Sequence, residues 1–122
     1  MGSRGNGEEF LLQPEGRLDL RGGSRLQQQF ETIALRRYKL WVIDMSCIEF
    51  IDSFGLASLV AGLNAATQVN ARLVLCSLRP SAQLIFEITQ LDQVFTIFES
   101  HEAMLSGLGV SAMPTLPTLE VA

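Results

Sequence analysis

Apolar and polar residues alternate with different periods in different stretches of the chain, and each change of period predicts an element. Phe10, Leu11 and Leu12 form a short apolar stretch that Pro14, Glu15 and Gly16 interrupt, after which Leu18 and Leu20 alternate with Arg17, Asp19 and Arg21. Such a pattern predicts strand with one polar face. Gly22 and Gly23 punctuate the chain, Ser24 is placed to cap a helix, and Gln27 follows at the spacing of a capping box. The helix that follows is expected to carry Leu26, Phe30, Ile33 and Arg37 about one turn apart, with Gln28, Gln29 and Glu31 in water.

Leu40, Trp41, Val42 and Ile43 run without a polar break, as a central strand covered on both faces does, and Asp44 ends the run. From Ser53 the period turns helical, with Leu56, Leu59, Val60, Leu63 and Ala66 on one stripe, so a second helix begins at or just after Ser53. Residues 72–76 repeat the continuous strand pattern, and Pro80 pre-sets the first turn of a third helix whose buried stripe is read as Leu84, Ile85, Ile88 and Leu91. Residues 94–98 predict a last short strand, and Ser100 is placed to cap a final helix ending near Leu108. Strands alternating with helices from Leu40 onward predict parallel pairing with right-handed crossovers.

A length of 122 residues with 48% hydrophobic content suits one core, expected over residues 10–110, with a flexible stretch at 1–9 and a Pro-containing tail at 111–122. The net charge of −4 and nine scattered Lys and Arg residues argue against nucleic-acid binding, since Arg36, Arg37 and Lys39 make the one basic cluster. Residues 1–9 show no apolar signal-peptide region, and residues 55–67, broken by Ser58, Gly62 and Asn64, are too short to span a bilayer. A soluble, cytoplasmic monomer is the expectation. Cys47 and Cys76 lie in apolar runs and read as buried free thiols.

Catalytic motifs are missing: no phosphate-binding loop, dinucleotide fingerprint, nucleophile elbow or Cys-x-x-Cys occurs. His101, the one histidine, is flanked by Ser100 and Glu102 and reads as a solvated surface residue. Asp44 and Asp52 could be imagined as an acid/base or metal-binding pair in a flavodoxin-like enzyme, but a third acidic residue and the later lysine of a response regulator are absent from that cluster. The reading is therefore of a non-catalytic module that needs no cofactor or metal.

One segment is specific. Val42-Ile43-Asp44-Met45-Ser46, then Phe50-Ile51-Asp52-Ser53-Phe54-Gly55-Leu56, then Arg72-Leu73-Val74-Leu75 and Ile88-Thr89-Gln90-Leu91 resemble, in order and spacing, the STAS domains of bacterial anti-sigma-factor antagonists. Gly16-Arg17-Leu18-Asp19 is similar to an early element of the same family, so the resemblance runs from about residue 11 to 108. It implies an α/β fold, a mixed sheet of about four to five strands with about four helices packed on it. Two departures stand out. The family's extra opening strand has no obvious counterpart in residues 1–9, and Phe54 occupies the place where a second hydroxyl often follows the Asp.

The resemblance implies a partner-switching anti-sigma-factor antagonist. Its unphosphorylated form would bind an ATP-dependent serine/threonine kinase anti-sigma factor, that kinase would phosphorylate Ser53, and a PP2C-type phosphatase would restore it. The expected binding surface comprises Asp52, Ser53, Phe54 and Gly55, the side of the second helix at Ser58, Ala61 and Gly62, and the loop residues Asp19, Asp44 and Ser46. The alternative is a non-switching STAS scaffold or transporter-associated subunit, with Ser53 structural. Read without the family, Ser53 is a helix N-cap, where the helix dipole tolerates a phosphate and the added charge acts on a partner rather than on the fold.

Overall fold

The computed structural model describes residues 3–4 and 9–109, and the tail at 111–122 lies outside them. The elements are β1 (Ser3–Arg4), β2 (Glu9–Leu12), β3 (Gly16–Leu18), α1 (Leu20–Ala34), β4 (Leu40–Asp44), β5 (Ile48–Ile51), α2 (Ser53–Gln68), β6 (Arg72–Cys76), α3 (Pro80–Ile88), a 3-10 turn (Leu91–Gln93), β7 (Thr96–Phe98) and α4 (His101–Gly109). A five-stranded sheet runs β1-β2-β4-β6-β7, and β3 pairs with β5 in a separate two-stranded sheet. Only β1 is antiparallel to its neighbour. A strand therefore does precede β2: Ser3 and Arg4 of β1 pair with it where the sequence offers no obvious strand.

Alternation along the central strands sorts the core into two layers. Trp41, Ile43, Leu73 and Leu75 point into the larger layer with Leu26, Phe30 and Ile33 of α1, Leu59 and Ala66 of α2, and Ala82 and Phe86 of α3. Val42, Val74 and Cys76 point the other way and are covered by Met104 of α4. Both faces of β4 and β6 are therefore dry, which is why their sequences show no polar break. Phe30 stacks on Trp41 with ring centroids 5.9 Å apart, and the indole N–H of Trp41 donates to the Tyr38 carbonyl at 3.2 Å.

Several expectations need correction. Helix α1 starts at Leu20, not after Ser24: the Asp19 side chain accepts from the Gly22 N–H at 3.0 Å and captures the N-cap first. Gly22 and Gly23 lie inside the helix, where Gly23 lets α1 approach α2; a Cβ there would stand 3.1 Å from that of Ser58. Leu20 is exposed on the first turn rather than strand-bound, and Arg37 lies past the helix end with positive φ. Residues 94–95 fall outside the last strand, which begins at Thr96 after the 3-10 turn.

The inner face of α3 is also different. Ala82 and Phe86 are buried, while Leu84 is 56% and Ile88 71% exposed. This nine-residue helix carries Ser81, Gln83 and Glu87, but its apolar residues still point two ways, Ala82 and Phe86 on one side and Leu84 and Ile88 on another, so its pattern alone does not select the phase. The choice is made by Phe95, whose ring meets Phe86 edge-on at 5.8 Å. His101 is half-buried rather than a free surface residue: its Nε2 lies 3.3 Å from Glu9 Oε2 and ties α4 to β2. Ser100 caps α4, accepting from the Ala103 N–H at 3.0 Å. Cys76 is buried and Cys47 half-buried, both as free thiols, and burial pushes the Cys76 thiol up.

Candidate functional site

Two helix N-termini meet where the small sheet ends. Strand β5 runs beside β3 with Phe50 opposite Arg17 and Ile51 opposite Leu18. The Asp52 N–H then donates to the Leu18 carbonyl at 3.3 Å, extending the pairing one residue further. Gly55 is required by this closeness, because any Cβ there would overlap the Leu18 carbonyl oxygen. Ser53 and Phe54 are thereby held beside Asp19 and Leu20 on a frame of backbone hydrogen bonds.

Asp52, not Ser53, caps α2. Its Oδ1 accepts from the N–H groups of Phe54 at 3.0 Å and Gly55 at 3.1 Å, and Ser53 occupies the first helical position. The helix begins one residue earlier than a Ser53 cap requires, since the Leu56 N–H already donates to the Asp52 carbonyl at 2.9 Å, so Ser53 is inside the helix and loses the capping role assigned to it by the sequence. The Ser53 side chain is left exposed with no capping duty, and Phe54 beside it is 54% exposed. Asp19 does for α1 what Asp52 does for α2. The Gly22 N–H, helped by Arg17, holds the Asp19 carboxyl below its usual range.

The rest of the expected surface divides. Ser58 is fully buried, its hydroxyl donating to the Gly55 carbonyl at 2.6 Å, and Gly62 is buried against the Phe30 ring. These two are packing residues of the α1–α2 contact and are withdrawn from the exposed surface; Ala61 is half-buried. Gly55 is buried as well, so it shapes the turn without presenting a side chain. Asp44 and Ser46 gather around Gln13 instead: Asp44 accepts from the Gln13 amide at 3.1 Å and from the Ser46 N–H at 2.9 Å, and Ser46 Oγ accepts from the same amide at 3.3 Å. Asp44 is thus occupied in shaping the β4–β5 loop. Among the described residues no group of three or more His, Cys, Asp or Glu side chains is placed to hold a metal.

Three residues at the site were missed by the sequence reading. Leu20 is 61% exposed and Phe50 39% exposed, on the two elements that flank Ser53 and Phe54. Arg17 lies with its guanidinium carbon 4.1 Å from the Phe50 ring centroid, a contact worth about 0.5–1 kcal/mol at an exposed position. Its Nε also lies 3.5 Å from Asp19 Oδ2. The available signal was the outward phase of Arg17 relative to Leu18; the pairing with Phe50 was not visible. A cleft of about 190 Å³ between β5 and α3 runs past Phe50, Ala82 and Ile85.

Four parallel strands, one short antiparallel edge and helices on both faces define the class: an α/β domain. Comparison with known proteins narrows it. The model of the STAS domain matches residues 3–104, from β1 into α4, and the chain belongs to the STAS family. A relative from Bordetella bronchiseptica named as the anti-sigma factor antagonist BtrV is 34% identical over 62 residues, 51% of this chain and 53% of that protein, so the match spans about half its length. The crystal structure of an anti-sigma factor antagonist from Mycobacterium paratuberculosis superposes with a TM-score of 0.75 at 21% identity, covering 85% of this chain and 87% of that one. The SulP transporter STAS domain of Vibrio cholerae superposes with a TM-score of 0.70 at 10% identity, covering 85% and 82%. Among the described residues no helix is long and apolar enough to cross a membrane.

Proposed function

We propose that this chain is an anti-sigma-factor antagonist that works by phosphorylation-controlled partner switching, with Ser53 as the acceptor. The observation that carries the reading is the freedom of the Ser53 hydroxyl: exposed, at the start of α2, and relieved of capping by Asp52. An ATP-dependent serine/threonine kinase anti-sigma factor is the partner. In the reaction, Ser53 Oγ bonds to the γ-phosphorus of ATP as the bond to the bridging oxygen breaks, ADP leaves, and a kinase base takes the hydroxyl proton. A PP2C-type phosphatase hydrolyses the product. The chain contributes a hydroxyl and a docking face and does no catalysis.

Phosphate at this position is tolerated by the helix N-terminus, which favours negative charge by about 0.3–1 kcal/mol at exposed sites, so the fold persists and binding changes. Phe54 is the apolar anchor of the face; Phe54→Ala should weaken partner binding by about 2 kcal/mol with little change in melting temperature. Asp19, Asp44 and Ser46 lie on the rim of this reading. Native-lysate pull-down with wild-type chain and Ser53→Asp, read by mass spectrometry, tests it: one kinase should be captured by the wild type, lost in the Asp variant, and able to label wild type but not Ser53→Ala with ATP. The likeness to a transporter STAS domain supports the second reading, a permanent scaffold, which equal capture of one partner by both forms would select.

A further inference from the structure

We propose that Arg17 is the residue that phosphate on Ser53 draws to itself, and that its departure uncovers the Phe50 ring. The proposal rests on Ser53 being the acceptor. The strand carrying Arg17 is stitched to the turn carrying Ser53: Leu18 pairs with Ile51, and its carbonyl accepts from the Asp52 N–H at 3.3 Å. Because the strands are parallel, Asp19 and Ser53 follow these two bonded residues on the same side, and although Arg17 itself stands opposite Phe50, its side chain already extends forward to Asp19, towards the turn that carries Ser53.

What now holds Arg17 is weak. One contact is the face of the half-exposed Phe50 ring, and the other engages Nε alone at 3.5 Å from Asp19 Oδ2, leaving the two terminal nitrogens of the guanidinium available. A phosphoserine brings about 1.5 to 2 negative charges and three acceptor oxygens. A guanidinium binds such a group through two parallel hydrogen bonds, a stronger contact than either of its present ones. Demand for a cation is set by the surroundings: Asp19 and Asp52 cap the two helices beside Ser53, Glu49 is exposed on β5, and each of these carboxylates repels an added dianion. Asp19 competes for Arg17 with a single charge and loses. Arg21, exposed in the first turn of α1, is the rival cation.

Moving Arg17 changes the face twice over. The positive group over Phe50 is neutralised, and the ring, 39% exposed beneath it, joins Phe54 as open aromatic surface. The phosphorylated form would then differ from the free form in shape as well as charge, without any backbone movement.

The test uses the full chain with phosphoserine installed at position 53 during translation, so that no kinase is needed. Phosphorus NMR of the wild-type sequence should give a second phosphate pKa lower by about half a unit or more than in Arg17→Gln, since a paired cation favours the dianion; Arg17→Lys should restore part of the difference, and Arg21→Gln should leave it intact. Ring-current shifts of the Arg17 side-chain protons, present in the unmodified chain, should collapse in the phosphorylated one. The proposal is overturned by a phosphate pKa indifferent to Arg17, by one that follows Arg21 instead, or by ring-current shifts that persist. A kinase that never labels Ser53 would sink the functional reading while leaving this coupling measurable, and the converse also holds.

Discussion

Replacing Asp52 by Ala should destabilise the domain by about 2 kcal/mol, whereas Ser53→Ala should change stability by less than about 0.5 kcal/mol. The reasoning starts from the two N–H groups that Asp52 Oδ1 satisfies at 3.0 and 3.1 Å. Loss of a helix cap costs about 0.5–2 kcal/mol, and two further facts push this one to the upper end. The acceptor is a carboxylate, so its hydrogen bonds are charge-assisted, and Gly55 is buried, so its N–H is stranded when the carboxylate goes. Phe54 is exposed, and its N–H can return to water at little cost. Asp52→Asn keeps the capping oxygen and loses the charge alone, about 0.3–1 kcal/mol. Urea unfolding followed by circular dichroism would show Asp52→Ala with a lower midpoint and an unchanged slope, and a melting temperature lower by about 10 °C. If Ser53→Ala were as damaging as Asp52→Ala, the serine would be the cap, and the argument that its hydroxyl is free for modification would be refuted.

Other consequences follow from the packing and the charges. Phe86→Ala should cost about 3–5 kcal/mol by urea unfolding while Ile88→Ser stays within about 0.5 kcal/mol, and the reverse order would restore the helix phase that the sequence suggests. Asp19, held in the folded state below its unfolded value, binds fewer protons folded than unfolded in the window between the two; its contribution is present at neutral pH and is lost as pH falls through the depressed value. Asp19→Asn should accordingly flatten the acid limb of a stability profile, and an unaltered limb would count against the Gly22 contact. Iodoacetamide should alkylate Cys47 well before Cys76 in the folded chain, as mass spectrometry of short exposures would record, because Cys76 is buried and its thiol is pushed toward the protonated form.

The sequence was legible where a segment's own composition decides its structure. The uninterrupted apolar runs of β4 and β6 could be nothing but dry strands, Pro80 marked the start of α3, and the Asp-Ser step marked the start of α2. It was illegible where a distant residue decides. Strand β5 buries Ile48 and Ile51 and exposes Glu49 and Phe50, a pattern of period three that comes from pairing with β3 and resembles neither strand nor helix. Ser58 looks like a surface residue until its hydroxyl finds the Gly55 carbonyl and Gly23 opens room for it. At the site, the choice between two adjacent capping residues goes with the pairing of Asp52 to Leu18, after which the chain turns helical at Ser53, and the Arg17–Phe50 contact joins strands that no local pattern connects.

The two layers of the core are unequal. One face of the sheet is sealed by α1, α2 and α3 around a large cluster, while among the described residues the other is closed by α4, through Met104 and the His101–Glu9 tie. Such a division sets an order of loosening: α4 can lift away and expose Val42, Val74 and Cys76 while the larger layer, with Ser53 anchored to it, stays whole. In amide exchange the protons of α4 would then wash out as one early group, well ahead of those in β4 and β6. A fusion partner or label attached beyond α4 would strain the part of the molecule that can yield without disturbing the turn that carries Ser53.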